Sequence, residues 1–258
     1  MPDAVEHCLL RPRWELPMGV HAAMTTRQGG TSTGPWRGWN MGRLCGDSPA
    51  PVAVNRSLLQ HGLGLKAGIR YLHQVHGADI MQRRAADSAW QEPRADGHWT
   101  RDAGLALAVL AADCLPVLMT ASSGSIVGAA HAGWRGLASG VLAAQVREMR
   151  AHLPAGERIV AWVGIGIGPC HYEVDSRVVN AIVAATGPAA WACIHDIGGG
   201  HATLDLAGIA AIQLRELNVS VTMQGGCTAC DERRWYSHRR DSQSGRMAAL
   251  IWREPLLP

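Results

Sequence analysis

Residues 105–132 decide the fold: Leu105-Ala-Leu-Ala-Val-Leu-Ala-Ala-Asp113-Cys114-Leu-Pro116-Val-Leu-Met-Thr120, then Ala121-Ser122-Ser123-Gly124, then Ser125-Ile-Val-Gly-Ala-Ala-His131-Ala132. Residues 105–120 and 125–132 are apolar runs flanking a Ser-Ser-Gly turn signal, the pattern of a hairpin with buried strands. Asp113 and Pro116 interrupt the longest apolar stretch, residues 104–121, so it reads as strand and not as a membrane span. If Ser122 and Ser123 centre a tight two-residue turn, Cys114 lies directly opposite His131, with Cβ atoms about 4.5–5.5 Å apart. A three-residue turn shifts that pairing by one place. At such a spacing a thiolate and an imidazole can share a metal ion or form a reactive pair. The plainer alternative is that the cysteine is a small buried hydrophobe and the histidine makes ordinary hydrogen bonds.

Outward from this hairpin, residues 20–27 read as a strand running into a Gly-rich loop, residues 28–38. Residues 51–61 predict a helix with Ser48 as N-cap and proline just inside. Residues 69–75 and 79–84 read as strands around His76-Gly77. In residues 136–153, Leu137, Val141, Leu142, Val146, Met149 and Leu153 form a helical stripe. Residues 158–167 read as a strand, 175–185 and 205–217 as helices, and 219–223 and 247–252 as closing strands. Hairpins mixed with helices predict an α+β fold and not a regular βαβ alternation. No repeat or low-complexity linker divides the chain, so residues 1–258 are expected to form a single domain.

Composition narrows the function classes. With 47% hydrophobic and 17% charged residues, the chain has the profile of a globular protein and not of a disordered one. A net charge of +3 without any Lys/Arg run argues against nucleic acid as a partner. Residues 1–16 mix charges among the apolar positions and lack the pattern of a signal peptide. Seven cysteines, an odd number at irregular spacing, do not form a disulfide framework. The expectation is a soluble, cytoplasmic monomer with no membrane partner.

A metal shared by Cys114 and His131 needs a third ligand from elsewhere. His76, in His73-Gln-Val-His76-Gly77, sits where a strand reaches a glycine corner. Two imidazoles and one thiolate are a zinc set, and three protein ligands leave a tetrahedral position open for water or substrate. Affinity alone favours Cu(II) over Zn(II) at such a site, so copper stays open beside zinc.

Several segments together resemble one known family. They are Gln74-Val-His76-Gly77, Ala112-Asp113-Cys114-Leu-Pro116-Val117 and His131-Ala-Gly-Trp-Arg135-Gly136. Supporting segments are Thr26-Arg27-Gln-Gly29-Gly30, Gly46-Asp47, Val54-Asn55-Arg56, Gly168-Pro169-Cys170-His171-Tyr172-Glu173-Val174, and Ser237-His-Arg239-Arg240-Asp241 with Gly245-Arg246-Met247. From about residue 20 to 252 the chain resembles the YfiH/YlmD family, also called the laccase-domain or polyphenol-oxidoreductase family. The resemblance implies that His76, Cys114 and His131 are the metal ligands. It implies an α/β sandwich with mixed sheets, shared with cytotoxic-necrotizing-factor-type cysteine deamidases. It also implies purine nucleoside phosphorylase activity on adenosine, inosine and methylthioadenosine, together with adenosine deaminase activity. An older description of the family is copper-dependent polyphenol oxidase.

Oxidase chemistry makes a demand the sequence does not meet. A multicopper oxidase supplies its trinuclear cluster from several His-x-His pairs, and none occurs among the twelve histidines. His7, His61, His98 and His152 read as residues of solvated faces or loops. Deamination needs a metal-activated water and a proton carrier, for which Asp113 and His73 are candidates. Phosphorolysis needs an anion site. Arg27, with the Gly29-Gly30 backbone, or Arg135, beside His131, could hold phosphate; the plainer readings are a turn and a structural ion pair. Asn40 and Asn55 could orient the loop or the substrate.

Two further classes remain. Cys114 as nucleophile with His131 as base would make a metal-free amide hydrolase. A non-catalytic metal or nucleoside binder would want a fourth ligand, for which Cys170 or His171 is placed; the resemblance reads both as substrate-pocket wall. Cys227-Thr-Ala-Cys230 lacks a second CxxC to complete a ribbon and lacks a βαβ context, so a structural or incidental role is expected. Arg239, Arg240 and Arg246 are expected to organise the carboxyl-terminal fold.

Overall fold

The computed structural model of the chain describes residues 3–255; the outermost residues of the expected 1–258 domain, Met1 and Pro2 and residues 256–258, lie outside the described residues. Two mixed sheets are stacked. The first runs Leu9–Leu10 (β1), Val20–Thr25 (β2), Met247–Arg253 (β14), Ala106–Ala111 (β6) and Ile69–Arg70 (β3). The second runs Ser220–Met223 (β13), Ile159–Val163 (β9), Leu115–Ala121 (β7), Val127–Ala132 (β8), Gly97–Thr100 (β5) and Ile80–Gln82 (β4). A small antiparallel sheet of Glu173–Asp175 (β10), His201–Leu204 (β12) and Ile194–Gly198 (β11) stands apart. Pairs β3–β6, β4–β5 and β9–β13 are parallel and the remainder antiparallel.

The helices are Asp3–Glu6 (α1), Pro49–Gly62 (α2), Trp134–Ala138 (α3), Val141–Arg150 (α4), Ser176–Thr186 (α5), Leu206–Glu216 (α6) and His238–Asp241 (α7). Asp175 and Asp205 cap α5 and α6 by accepting from Val178 N–H and Gly208 N–H. Between the large sheets, Met24, Leu107, Val109 and Ile251 meet Leu118, Val127, Ala129 and Trp162. The outer face of the first sheet packs Ala106, Ala108 and Leu250 against Leu59 of α2. The outer face of the second packs Val117 and Met119 against Leu142 and Val146 of α4 and Ile209 of α6. The fold is therefore the expected α+β sandwich with mixed sheets. Strands covered on both faces lose the polar alternation of a half-buried strand, which is why residues 105–120 read as one continuous apolar run.

That run is in fact two strands in two different sheets. β6 ends at Ala111 and β7 begins at Leu115, and the chain crosses between sheets at Asp113, whose φ is 93°. The hairpin register also differs from expectation. Residues 122–125 form a four-residue loop closed by Ala121 N–H donating to Ile126 O, so Pro116 and not Cys114 pairs with His131. Because the side-chain period of a strand is two, a two-place shift keeps the same face. Cys114 thus stays on the His131 side, one step further along, against Gly133, where an added Cβ would lie 2.7 Å from Cys114 Sγ.

Other boundaries moved for local reasons. The stripe over residues 136–153 breaks at Gly140, whose φ of 80° ends α3 and redirects the chain into α4. Beyond β3, residues 71–75 leave the backbone ladder of the first sheet: Gln74 bonds Leu110 of β6 through its side-chain amide, and His73 bridges Arg94. β5 does not lie among solvated faces or loops as expected for His98: it is held between β8 and β4, and His98 is fully buried. Burial, helped by the Arg83 charge, pushes the His98 imidazole down to about 3.

Candidate metal centre

Three chain segments converge at one end of the sandwich. Cys114 comes from the crossover between β6 and β7, His131 from the end of β8, and His76 from the loop before β4. Their donor atoms all lie within 4.8 Å of one another. Cys114 Sγ is 3.8 Å from His76 Nε2, and the two imidazole rings meet edge to face with centroids 4.8 Å apart. His131 is buried, Cys114 is half-buried and His76 is exposed, so the cluster has a dry side and an open one.

Asp96, at the entrance to β5, organises this cluster. Its carboxylate accepts from the backbone N–H groups of Val75, His76 and Gly77, at 3.1, 2.9 and 2.7 Å, and from His131 Nδ1 at 2.8 Å. Burial opposes ionisation of Asp96, but His131 and these amides outweigh it and hold the carboxyl below its ordinary range. The same bonds pin His76 in a left-handed conformation, φ 61°, that a non-glycine residue adopts only when its surroundings over-determine it. The sequence reading missed Asp96. Its one visible signal was an acidic residue directly before the run Gly97-His-Trp-Thr100, and a carboxylate buried there must be fully hydrogen-bonded.

The electrostatics pair Cys114 with His131. Burial by itself would raise the thiol, but the His131 charge and hydrogen bonds from His131 and His76 bring Cys114 down to about 6. Burial likewise disfavours a charged His131, yet the Cys114 thiolate and Asp96 raise it to about 9. Each group thus draws the other towards its charged form, thiolate and imidazolium. With His131 Nδ1–H committed to Asp96, Nε2 is the nitrogen left for a ligand. A carboxylate behind a histidine is the usual outer support of a zinc-bound imidazole. The donor set of two imidazoles and a ready thiolate fits zinc, with one position left over.

The cluster opens into a cavity of about 580 Å³, within the range of small-molecule sites. His73, Arg135, Trp134 and Tyr172 line it, and the Arg135 guanidinium lies 4.5 Å over the Trp134 ring. Asp113 also borders it, but both carboxylate oxygens are engaged, by Thr228 Oγ1 at 2.6 Å and Arg239 N–H at 2.7 Å. Thr228 was another residue the sequence did not single out.

Most of the remaining candidates lie elsewhere. Arg27 sits 4.7 Å over the Tyr236 ring, donates to Glu232 O, and faces a separate shallow hollow beside Gly29. Asn40 is buried and spends its amide on Asp47, Gly42 and Arg246, and Asn55 bonds Thr31, Ser32 and Asn40. Both hold the loop together from within. Cys170 and His171 do not line the cavity; they gather with Cys227 and Cys230 in a second group. Arg240 ties Trp235 O to Thr228 O and braces the carboxyl-terminal segment, whereas Arg246, whose N–H bonds Asn40, and Arg239 also border the cavity. Among the described residues no helix is long and apolar enough to cross a membrane.

Residues 21–254 match the family described as multi-copper polyphenol oxidoreductase laccase. The chain is 39% identical over 244 residues to purine nucleoside phosphorylase PA4543 of Pseudomonas aeruginosa, covering 94% of this chain and 97% of that one. It is 38% identical to purine nucleoside phosphorylase YfiH of Escherichia coli, covering 95% and 98%. Among solved structures, Neisseria meningitidis protein NMB0706 superposes with a TM-score of 0.89 at 36% identity, covering 96% of this chain and all of that one. YlmD from Geobacillus stearothermophilus gives 0.86 at 36% identity, covering 96% of each.

Proposed function

This chain belongs to the multi-copper polyphenol oxidoreductase laccase family, which includes the YfiH and YlmD proteins, and from that premise we propose that it is a zinc-dependent purine nucleoside phosphorylase. Its substrates on this reading are inosine, adenosine and methylthioadenosine, with adenosine deamination at the same site. The observation that carries the reading is the open His76–Cys114–His131 cluster on a cavity that also presents Arg135 and two aromatic rings. The relatives named as purine nucleoside phosphorylases support the substrate class.

Zinc held by His76, Cys114 and His131 would supply a Lewis acid and, for deamination, an acidified water. Asp96 holds His131 in the tautomer that such binding needs. Trp134 and Tyr172 offer ring faces to a purine, and Arg135 offers a guanidinium fork to phosphate. In phosphorolysis a phosphate oxygen bonds to the sugar C1′ as the C1′–N9 bond breaks, and the purine leaves with the electron pair and takes up a proton. His73 is assigned that proton traffic, because both oxygens of Asp113 are already engaged. Arg27 stands outside the cavity; of the arginines that line it, Arg43 pairs with Glu92 and Arg239 and Arg246 donate to backbone carbonyls, so Arg135 is the phosphate residue of this proposal.

The family's description favours a second reading, copper-dependent polyphenol oxidation. The donor groups argue against it: among the described residues, one set of three and one of four do not hold the trinuclear cluster a multicopper oxidase requires. Anaerobic incubation with inosine and phosphate separates the two. Hypoxanthine and ribose 1-phosphate should form without oxygen, and Cys114→Ala or His131→Ala should abolish them. No purine base under any condition, with oxygen-dependent turnover of a phenol, would replace the phosphorylase reading with the oxidase.

A further inference from the structure

We propose that Cys170, His171, Cys227 and Cys230 form a second metal site, a closed four-ligand centre for one zinc ion that braces the back of the Asp113 crossover. The four donor atoms lie within 4.8 Å of one another and belong to two loops far apart in sequence. Cys170 Sγ is 3.5 Å from Cys230 Sγ, and His171 Nδ1 is 3.3 Å from Cys170 Sγ, 3.4 Å from Cys230 Sγ and 3.8 Å from Cys227 Sγ. Zinc bonds of about 2.3 Å to sulfur and about 2.0–2.1 Å to nitrogen make a tetrahedron whose edges are roughly 3.5–3.8 Å. The side chains thus stand almost at the corners of that tetrahedron.

The expectation that Cys227-Thr-Ala-Cys230 lacks a second half is answered in space: Cys170-His171 is the other half. Gly168 N–H donates to Cys227 Sγ at 3.2 Å, the kind of amide support a bound thiolate uses. A Cβ on Gly168 would lie 3.1 Å from Cys227 Cβ and 3.4 Å from Cys170 Sγ, so glycine lets the loop approach the sulfurs without displacing them. Three thiolates on Zn²⁺ leave one net negative charge. The Arg239 guanidinium faces it, donating to His171 O, and Arg240, paired with Asp241, holds the Cys-x-x-Cys loop by donating to Thr228 O and Ala229 O.

The competing explanation is a Cys170–Cys230 disulfide. It would employ two of the three sulfurs and leave Cys227 and His171 gathered for no reason. A four-ligand set also differs in kind from the first cluster: it has no open position, and none of its members lines the cavity. Its neighbours indicate its role. Thr228, inside the Cys-x-x-Cys loop, donates to the Asp113 carboxylate, and Ile167, just before Gly168, donates its N–H to Asp113 O. Closing the two loops on a metal therefore fixes the residue that carries Cys114.

This inference does not depend on the phosphorylase reading, and its readout is metal and not turnover. Protein purified with zinc and reductant should carry two zinc equivalents by elemental analysis and native mass spectrometry. The pair His76→Ala/His131→Ala should retain one, and Cys227→Ser/Cys230→Ser should lose one. Loading the His76→Ala/His131→Ala protein with Co(II) alone should give the intense thiolate charge-transfer and tetrahedral d–d bands of a three-sulfur site. Should the variants fold poorly, alkylation of the wild-type protein decides: Cys170, Cys227 and Cys230 should resist iodoacetamide until a chelator is added. One zinc equivalent in the wild type with immediate alkylation of these cysteines, or a Cys170–Cys230 disulfide without metal, would overturn the proposal.

Discussion

Asp96 Oδ1 and His131 Nδ1 are 2.8 Å apart, and that bond decides which nitrogen of His131 faces the cluster. An ionised carboxylate can only accept, so Nδ1 carries the proton and Nε2 is left as the ligand atom. The same carboxylate gathers the amides of residues 75–77, so a single side chain positions two of the three candidate ligands.

Replacing Asp96 with Asn should therefore weaken metal binding without removing a ligand. The expected loss is about 10–100-fold in zinc affinity, read by competition against a chromophoric chelator. Unchanged affinity would show that the carboxylate serves only the loop.

Metal removal should abolish purine phosphorolysis, and zinc should restore it. Alkylating Cys114 in the stripped protein should block that recovery. Should the stripped protein instead hydrolyse amides until Cys114 is alkylated, the Cys114–His131 pair would be acting as nucleophile and base.

The stripped protein should show two opposed pH dependences. Cys114 is lowered from 9.0 to about 6 in the fold, so its contribution is full above 9 and lost as pH falls through 6. His131 is raised from 6.5 to about 9, so its contribution is full below 6.5 and lost as pH rises through 9. Between pH 6.5 and 9 the two slopes cancel, so the unfolding temperature of the stripped protein should stay level there. In Cys114→Ser only the Asp96-supported His131 contribution remains, and the unfolding temperature should fall as pH rises above 6.5.

Thr228→Val removes the hydroxyl that donates to buried Asp113 at 2.6 Å. A hydrogen bond to a charged group is worth about 1.5–3 kcal/mol, and for a chain of this size that lowers the unfolding temperature by about 3–12 °C. Calorimetry of the two proteins at matched zinc checks it.

His98→Leu should flatten the acid limb of the stability curve. In the unfolded chain His98 takes a proton near 6.5, whereas in the fold it resists down to about 3. Stability is thus lost as pH falls below 6.5, at up to about 1.4 kcal/mol per pH unit. Urea titrations at several pH values measure that slope with and without His98.

The sequence by itself determined the elements whose information is local. Asp175 and Asp205 before their helices, proline inside α2, and the apolar runs of β6, β7 and β8 act within a few residues, so their positions were legible. The nearness of Cys114 to His131 was legible too, because a hairpin register shifted by an even number keeps the same face. The register itself was not, since a four-residue loop and a two-residue one carry the same Ser-Ser-Gly signal. The split of residues 105–120 was hidden because strands buried on both faces show no alternation. Only the tertiary structure decided that Asp96 stands behind His131, that Arg27 lies outside the cavity while Arg135 lies inside it, and that Cys170-His171 meets Cys227 and Cys230. Each is a pairing between segments distant in sequence, fixed by how two sheets stack and not by any spacing along the chain.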